Sequence, residues 1–327
     1  MATPSSVPSP SIAPSVLQAI GRTPIVRLRS VVPSGAADVI VKLEFYNPTG
    51  SYKDRMALAM IEGAEKRGAL RSGMRVVEFT GGSTGSSLAM VCAVKGYRLV
   101  LLSSDAFAEE KLRTMQALGA ELRIVASDGG KVTPALFDRF RKEIAVLAAE
   151  PDTFWTDQFN NTDAIDGYAG IGRELVEQTG GSLDVFCGAV GTGGMLSGVA
   201  RALREGGSRT RQTGPTRIVA LEPATSPAMT AGHGGAHGVE GIATGRIPPH
   251  MADKPYDEAR AIREEDARAL ALRLAREEGL LVGTSSALNI AAAIDLAREL
   301  GAGNVVATVA VDTGLKYLAG DLFAPQR

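Results

Sequence analysis

Along most of the chain, apolar runs of strand length alternate with longer stretches in which apolar positions recur every three or four residues. The runs at 39–45, 75–79, 99–102, 121–125, 183–190, 217–221 and 304–311 are dense in Val, Ile and Leu, as strands covered on both faces require. The stretches at 54–67, 84–95, 109–118, 134–149, 164–178, 194–204, 264–278 and 286–300 predict helices. Strands and helices alternating almost throughout predict parallel sheets with right-handed crossovers, an α/β fold. An early strand group ends near 125 and a late one begins near 183. Two lobes are therefore expected, with ligands in a cleft beyond the C-terminal ends of the strands. The polar segment 206–215 and the glycine-rich 232–245 are loops by composition.

At 327 residues the chain can form one large or two moderate domains around a sizeable core. Glycine supplies 38 positions, about 12% against an average of about 7%, without a triplet repeat. Many tight turns and backbone-lined ligand loops follow. Lys and Arg total 35 against 36 Asp and Glu, a net charge of −1 that excludes a broad nucleic-acid footprint. Cys92 and Cys187 each sit in an apolar run, which predicts buried thiols and no disulfide framework. No run approaches the roughly 18 apolar residues of a membrane span. The Ser- and Pro-rich start, 1–15, lacks a signal-peptide pattern and reads as a disordered arm. A cytoplasmic protein with neither nucleic-acid nor membrane partners is expected.

Three segments carry candidate chemistry, each at a strand-to-helix junction. In Asn47-Pro48-Thr49-Gly50-Ser51-Tyr52-Lys53-Asp54-Arg55, a Pro/Gly turn leads into a helix with lysine in its first turn. The helix dipole there opposes a positive charge and depresses an amine's pKa, as a Schiff-base lysine needs. Thr80-Gly81-Gly82-Ser83-Thr84-Gly85 and Gly191-Thr192-Gly193-Gly194-Met195 are glycine-rich loops whose N–H groups can converge on a carboxylate or phosphate. Taken alone, Lys53 also reads as a surface lysine, and each loop as an ordinary capped turn. A dinucleotide fingerprint is disfavoured, because Leu196 stands where its third glycine would be. Two anion loops beside one amine point to a phosphorylated cofactor and a carboxylate-bearing substrate.

Gly21-Arg22-Thr23-Pro24-Ile25-Val26-Arg27-Leu28, the 47–55 segment, 80–85, 191–194 and Gly283-Thr284-Ser285-Ser286 occur in one order. As a set they resemble the cysteine synthase and cystathionine β-synthase family of fold type II enzymes, which use pyridoxal 5′-phosphate (PLP). The similarity runs from about 16 to 323. It implies a two-lobed, tryptophan synthase β-like fold with twisted parallel sheets flanked by helices. The larger, cofactor-phosphate domain would be 16–46 plus 160–327, and the smaller, substrate-binding domain 47–159. The resemblance implies that Lys53 forms the internal aldimine and moves the α-proton. Thr80, Gly81, Gly82, Ser83 and Thr84 would hold the substrate carboxylate with Gln158, and Ser83 would also face the cofactor's 3′-oxygen. Gly191, Thr192, Gly193, Gly194 and Met195 would wrap the phosphate, and Ser285 would bond the pyridine nitrogen. A neutral hydroxyl there makes the ring a weaker electron sink, so expulsion of a β-leaving group is the natural course. The implied reaction is β-replacement on an activated L-serine or L-cysteine through an aminoacrylate, by a homodimer.

Departures from the family pattern bear on the substrate. Ser83 replaces the usual asparagine, Gly81 a common serine, and Met195 a common threonine, while Val311-Asp312-Thr313-Gly314 replaces Pro-Ser-Ser-Gly. The changed loop could admit water, which keeps a PLP-dependent lyase (a serine/threonine dehydratase or cysteine desulfhydrase) as the alternative. A non-catalytic ligand-binding protein is a third reading, opposed by the intact Lys53. His233 and His237 lie four apart among glycines and make no metal set, so no metal is expected. Phe154 and Trp155 read as packing at the lobe junction, and 260–278 as a solvated helix face.

Overall fold

The computed structural model describes residues 12–210, 214–242 and 245–324, so the first eleven residues of the expected arm, and residues 211–213 and 243–244 of the two expected loops, lie outside it. Two sheets are present. The larger is ordered β1-β2-β10-β7-β8-β9, from Ile25–Arg27, Asp38–Leu43, Val305–Ala310, Val185–Ala189, Arg217–Pro223 and Glu258–Ile262. Only β1 runs antiparallel to its neighbour there. The smaller sheet is ordered β5-β4-β3-β6 and is wholly parallel, from Glu121–Ile124, Arg98–Ser103, Arg75–Phe79 and Thr153–Trp155.

The helices are α1 (Lys53–Lys66), α2 (Ser83–Lys95), α3 (Glu109–Ala117), α4 (Pro134–Ala148), α5 (Asp163–Thr179), α6 (Gly194–Glu205), α7 (Glu264–Arg273) and α8 (Thr284–Leu300). All the expected strands and helices are found, their ends shifted by at most two residues, except that α7 loosens into a π turn over Leu274–Glu278. Three short edge strands are corrections. β1 and β6 have three residues each, and β9 alternates charge with alanine, so none has the apolar run of a covered strand. Phe154 and Trp155 belong to β6, and 260–262 belongs to β9, not to a helix.

Alternate residues along each strand divide the core. Ile40, Phe186, Ala307, Val76 and Leu99, from both sheets, face one shared cluster with α1, α2, α5 and α6. The opposite face of the large sheet, through Val39, Val41, Cys187 and Val306, packs on α7 and α8. The opposite face of the small sheet, through Val77 and Val100, packs on Phe140 and Ile144 of α4. Both cysteines are buried and free. The shared helical layer therefore joins the sheets.

Within that layer the helices touch backbone to backbone. A Cβ on Gly167 of α5 would lie 2.5 Å from the Arg55 carbonyl oxygen of α1. One on Gly198 of α6 would lie 2.4 Å from the Ile165 carbonyl oxygen of α5. Arg55 locks the same layer by charge. Its guanidinium holds Glu44 (2.7 and 2.8 Å) and Glu174 of α5 (2.7 and 2.9 Å), and Glu174 also takes Lys42 at 2.6 Å. Burial works against the Glu174 carboxylate, yet Arg55 and Lys42 hold its pKa down at about 2.

Gly198→Ala gains about 1 kcal/mol of helix propensity but pushes a methyl group into rigid backbone. We expect a net loss of about 1–3 kcal/mol of stability, read as a lower urea midpoint at unchanged slope. An unchanged midpoint would mean that α5 and α6 can separate freely.

Candidate active site

In both sheets the loops leave from the C-terminal ends of parallel strands. Ala310 stands opposite Leu43, so the segments after β2 and β10 emerge side by side. The Val190 N–H bonds the Leu221 carbonyl, which carries the loop after β7 to the same edge.

Lys53 opens α1. The chain turns at Gly50, in the left-handed region at φ +72°, and then pairs with the segment beyond β10. Ser51 bridges Asp312, the Tyr52 N–H donates to the Val311 carbonyl at 2.9 Å, and the Thr313 N–H donates to the Gly50 carbonyl at 3.0 Å. The Lys53 side chain is only 7% exposed. Its Nζ lies 5.1 Å from the Tyr52 ring centre and makes no hydrogen bond among the described residues. Burial brings its pKa down to about 8, against the opposing pull of Asp312 and Glu78.

At the loop after β7, Gly193 is left-handed at φ +85° and α6 starts at Gly194 without a side-chain cap. Its first N–H groups are therefore left for a ligand. A Cβ on Gly191 would sit 2.5 Å from the Gly241 carbonyl oxygen, and one on Gly193 would sit 2.6 Å from Met251 Cγ. Thr192 is 7% exposed, and its hydroxyl makes no hydrogen bond among the described residues. The Met195 side chain turns back over Gly188, whose Cβ would meet it at 2.6 Å, so only its backbone can serve the loop. Two aromatic rings link the amine to this loop. The Tyr52 ring lies 5.1 Å from the Tyr168 ring, and Tyr168 Cδ2 comes within 3.4 Å of a Cβ on Gly194.

Ser285 occupies the first turn of α8, 6% exposed, its hydroxyl also without a described partner. The next residue, Ser286, accepts the Val311 N–H at 2.9 Å. One short segment, 311–313, thus bonds both the Lys53 loop and the start of α8.

Thr80–Thr84 lie between β3 and the start of α2. The Thr84 hydroxyl donates to Gln158 Oε1 at 2.8 Å, and the Gln158 amide donates to the Phe79 carbonyl at 3.2 Å, which brings those two expected partners together. Gly81 leaves room for Phe107, and Gly82 for Lys111, which Cβ atoms would meet at 2.4 and 2.9 Å. Ser83 Oγ accepts the Lys316 ammonium at 3.3 Å.

Sequence reasoning missed Glu78, Lys111, Glu240, His250 and Lys316. Glu78 accepts Thr156 Oγ1 (2.6 Å), the Phe79 N–H (2.9 Å) and the Gln158 N–H (3.0 Å), and burial raises its pKa to about 7. Its signal was available, since a lone carboxylate in a buried strand needs a reason. The others come from distant segments. Lys111 pairs with Glu240 and stands 4.7 Å over the Tyr317 ring, while His250 Nε2 lies 3.3 Å from the Gln158 carbonyl oxygen.

These features fit PLP. An amine, a threonine hydroxyl and a serine hydroxyl, on residues no more than 7% exposed and without hydrogen-bond partners among the described residues, stand at one sheet edge around a loop whose Gly191 and Gly193 leave no room for a Cβ. Residues 16–311 match the family model described as pyridoxal-phosphate dependent enzyme, and the chain belongs to that family. Among its relatives is a cysteine synthase of Staphylococcus aureus, 39% identical over 312 residues, covering 95% of this chain and 97% of that protein. A crystal structure of cysteine synthase from Entamoeba histolytica superposes with a TM-score of 0.88 at 31% identity, covering 100% of this chain and 95% of that one. The structure of O-ureido-L-serine synthase gives 0.86 at 34% identity, with 96% of each chain covered. The family and the fold type II architecture expected from the motifs are thus both found.

Only the neutral form of an amine attacks an aldehyde, and about a tenth of the Lys53 amine is neutral one pH unit below its pKa. The rate at which cofactor-free protein captures PLP should therefore rise with pH and level off above about 8. Stopped-flow absorbance measures it. A flat profile from pH 6 to 9 would contradict the burial effect on this amine.

Proposed function

We propose that the chain catalyses PLP-dependent β-replacement on an activated L-serine or L-cysteine, with a sulfide, thiol or other small nucleophile, as a cysteine synthase does. The observation that carries the reading is the largely buried Lys53, whose amine makes no hydrogen bond among the described residues and is linked through the Tyr52 and Tyr168 rings to the Gly194 helix start. The name of the Staphylococcus aureus relative supports it.

When bound, PLP supplies an aldehyde for the amine and an electron sink for the substrate's α-carbon. Lys53 holds the cofactor and moves the α-proton at its Nζ. The N–H groups from Gly191 to Met195, with the Thr192 hydroxyl, hold the phosphate. The Ser285 hydroxyl bonds the ring nitrogen without forcing its protonation, which favours loss of the β-leaving group. Thr80, Gly81, Gly82, Ser83 and Thr84, with Gln158, receive the substrate carboxylate. The Thr84–Gln158 hydrogen bond keeps the two sides of that cradle in register. Segment 47–159 acts as the substrate-binding unit, and 16–46 with 160–327 as the cofactor unit. The reading carries with it a homodimer working in the cytoplasm.

The purified protein should be yellow. Lys53→Ala should reduce both borohydride-trapped cofactor and turnover to background. Colourless protein that no added PLP turns yellow would end the proposal. Replacement is separated from elimination by assaying keto acid with and without a nucleophile. Keto acid formation that added sulfide does not suppress would assign the chain to the lyases.

A further inference from the structure

The segment 311–313 carries a feature that the proposed roles leave unused. Asp312 is 5% exposed, and its Oδ1 is buried without a hydrogen-bond donor among the described residues. Its Oδ2 accepts the Tyr317 hydroxyl at 2.6 Å. Space for the carboxylate comes from Gly283, where a Cβ would lie 2.5 Å from Oδ1. The group therefore rests at the start of the 17-residue helix α8, whose dipole favours an anion. Asp312 pairs across with Ser51, two residues before Lys53. The bridge seats the Asp312 backbone against the turn that leads into Lys53. A buried carboxylate oxygen with no donor among the described residues thus lies one bridge away from the turn that presents the Lys53 amine, which has no acceptor among them. Leaving either alone is costly.

We propose that Asp312 is a positioning residue for Lys53: its free carboxylate oxygen is the counter-charge that keeps the Lys53 nitrogen protonated once that nitrogen is joined to the cofactor. The inference rests on the proposed use of Lys53. Other charges surround the pair. Lys316 on the same segment, Lys111 of α3 and Glu240 act on Asp312, while Glu78 of β3 acts on Lys53 and Lys53 in turn on His250. Tyr317 is the hydrogen-bonded neighbour, and Asp54 of α1 faces Lys316. Of the two carboxylates that act on Lys53, Glu78 has three strong donors of its own, so Asp312 is the one with an oxygen to spare.

The test uses the full chain with PLP bound, and follows the visible band of the cofactor across pH 6–10. In Asp312→Asn, which keeps an acceptor for Tyr317, the midpoint of that band's titration should move at least about one pH unit to acid. Asp312→Ser, which installs the residue usual in the family, should move it likewise, and Asp312→Glu should restore it. Competitive acetylation of Lys53 in cofactor-free protein, read by mass spectrometry, should show the same acid shift of the amine. Melting temperatures taken alongside identify a merely structural effect, which would lower stability without moving either midpoint. Asn and Ser variants that titrate as the unaltered protein does would overturn the inference. So would an unaltered protein whose band is lost below pH about 8, where the free amine titrates, a result that needs no variant. Failure of every version to form a coloured complex would instead overturn the use of Lys53 itself.

Discussion

Everything at the site depends on three helices being held at backbone contact. α5 lies between α1, which begins with the amine, and α6, which begins at the 191–194 glycine loop. The glycines at 167 and 198 let carbonyl oxygens stand where side chains would otherwise intrude. Arg55, two residues past the amine, ties α1 to α5 through Glu174 and to the end of β2 through Glu44. Such a buried charge network gives little net stability, but removing one partner leaves an uncompensated charge. Its worth here is geometric, because it fixes how α1 sits on its neighbours.

A second constraint comes from the large sheet. The segment that follows β10 bonds the residues before Lys53 on one side and Ser286 on the other. The amine and the start of α8 therefore share one backbone reference. The residues expected to contact the substrate lie on the small sheet, and polar contacts (Ser83 with Lys316, Lys111 with Glu240) link that side to the large one. Two sheets sharing one helical layer thus carry the candidate residues between them.

Most of the architecture was legible in the chain because covered parallel strands are continuous apolar runs and the helices between them are long. The three missed strands are edges, where half-exposed backbone needs no apolar run and where, in two of them, length falls to three residues. The glycine loops and Lys53 could be found because their chemistry is local, being a turn, a helix start and a side chain. Gln158 was reachable only through family resemblance, since its hydrogen bond to Thr84 spans 74 positions. Lys111, Glu240 and Lys316 gave no signal, as nothing in a lone charged residue says which distant segment it will meet. Glu78 could have been noticed, as a carboxylate interrupting a buried strand. Asp312 was seen as a departure from pattern, but its unpaired oxygen exists only in three dimensions.

The paving of α5 by glycine has a bearing on how such a scaffold diversifies. A spacer whose tolerance is a few tenths of an ångström cannot accept even a methyl group without parting the helices around it. Variation in chemistry is then channelled away from the shared layer and into loops such as 80–84 and 311–316, where side chains can be exchanged without moving the frame. New substrates can be tried at the rim while the distance from amine to anion loop stays constant.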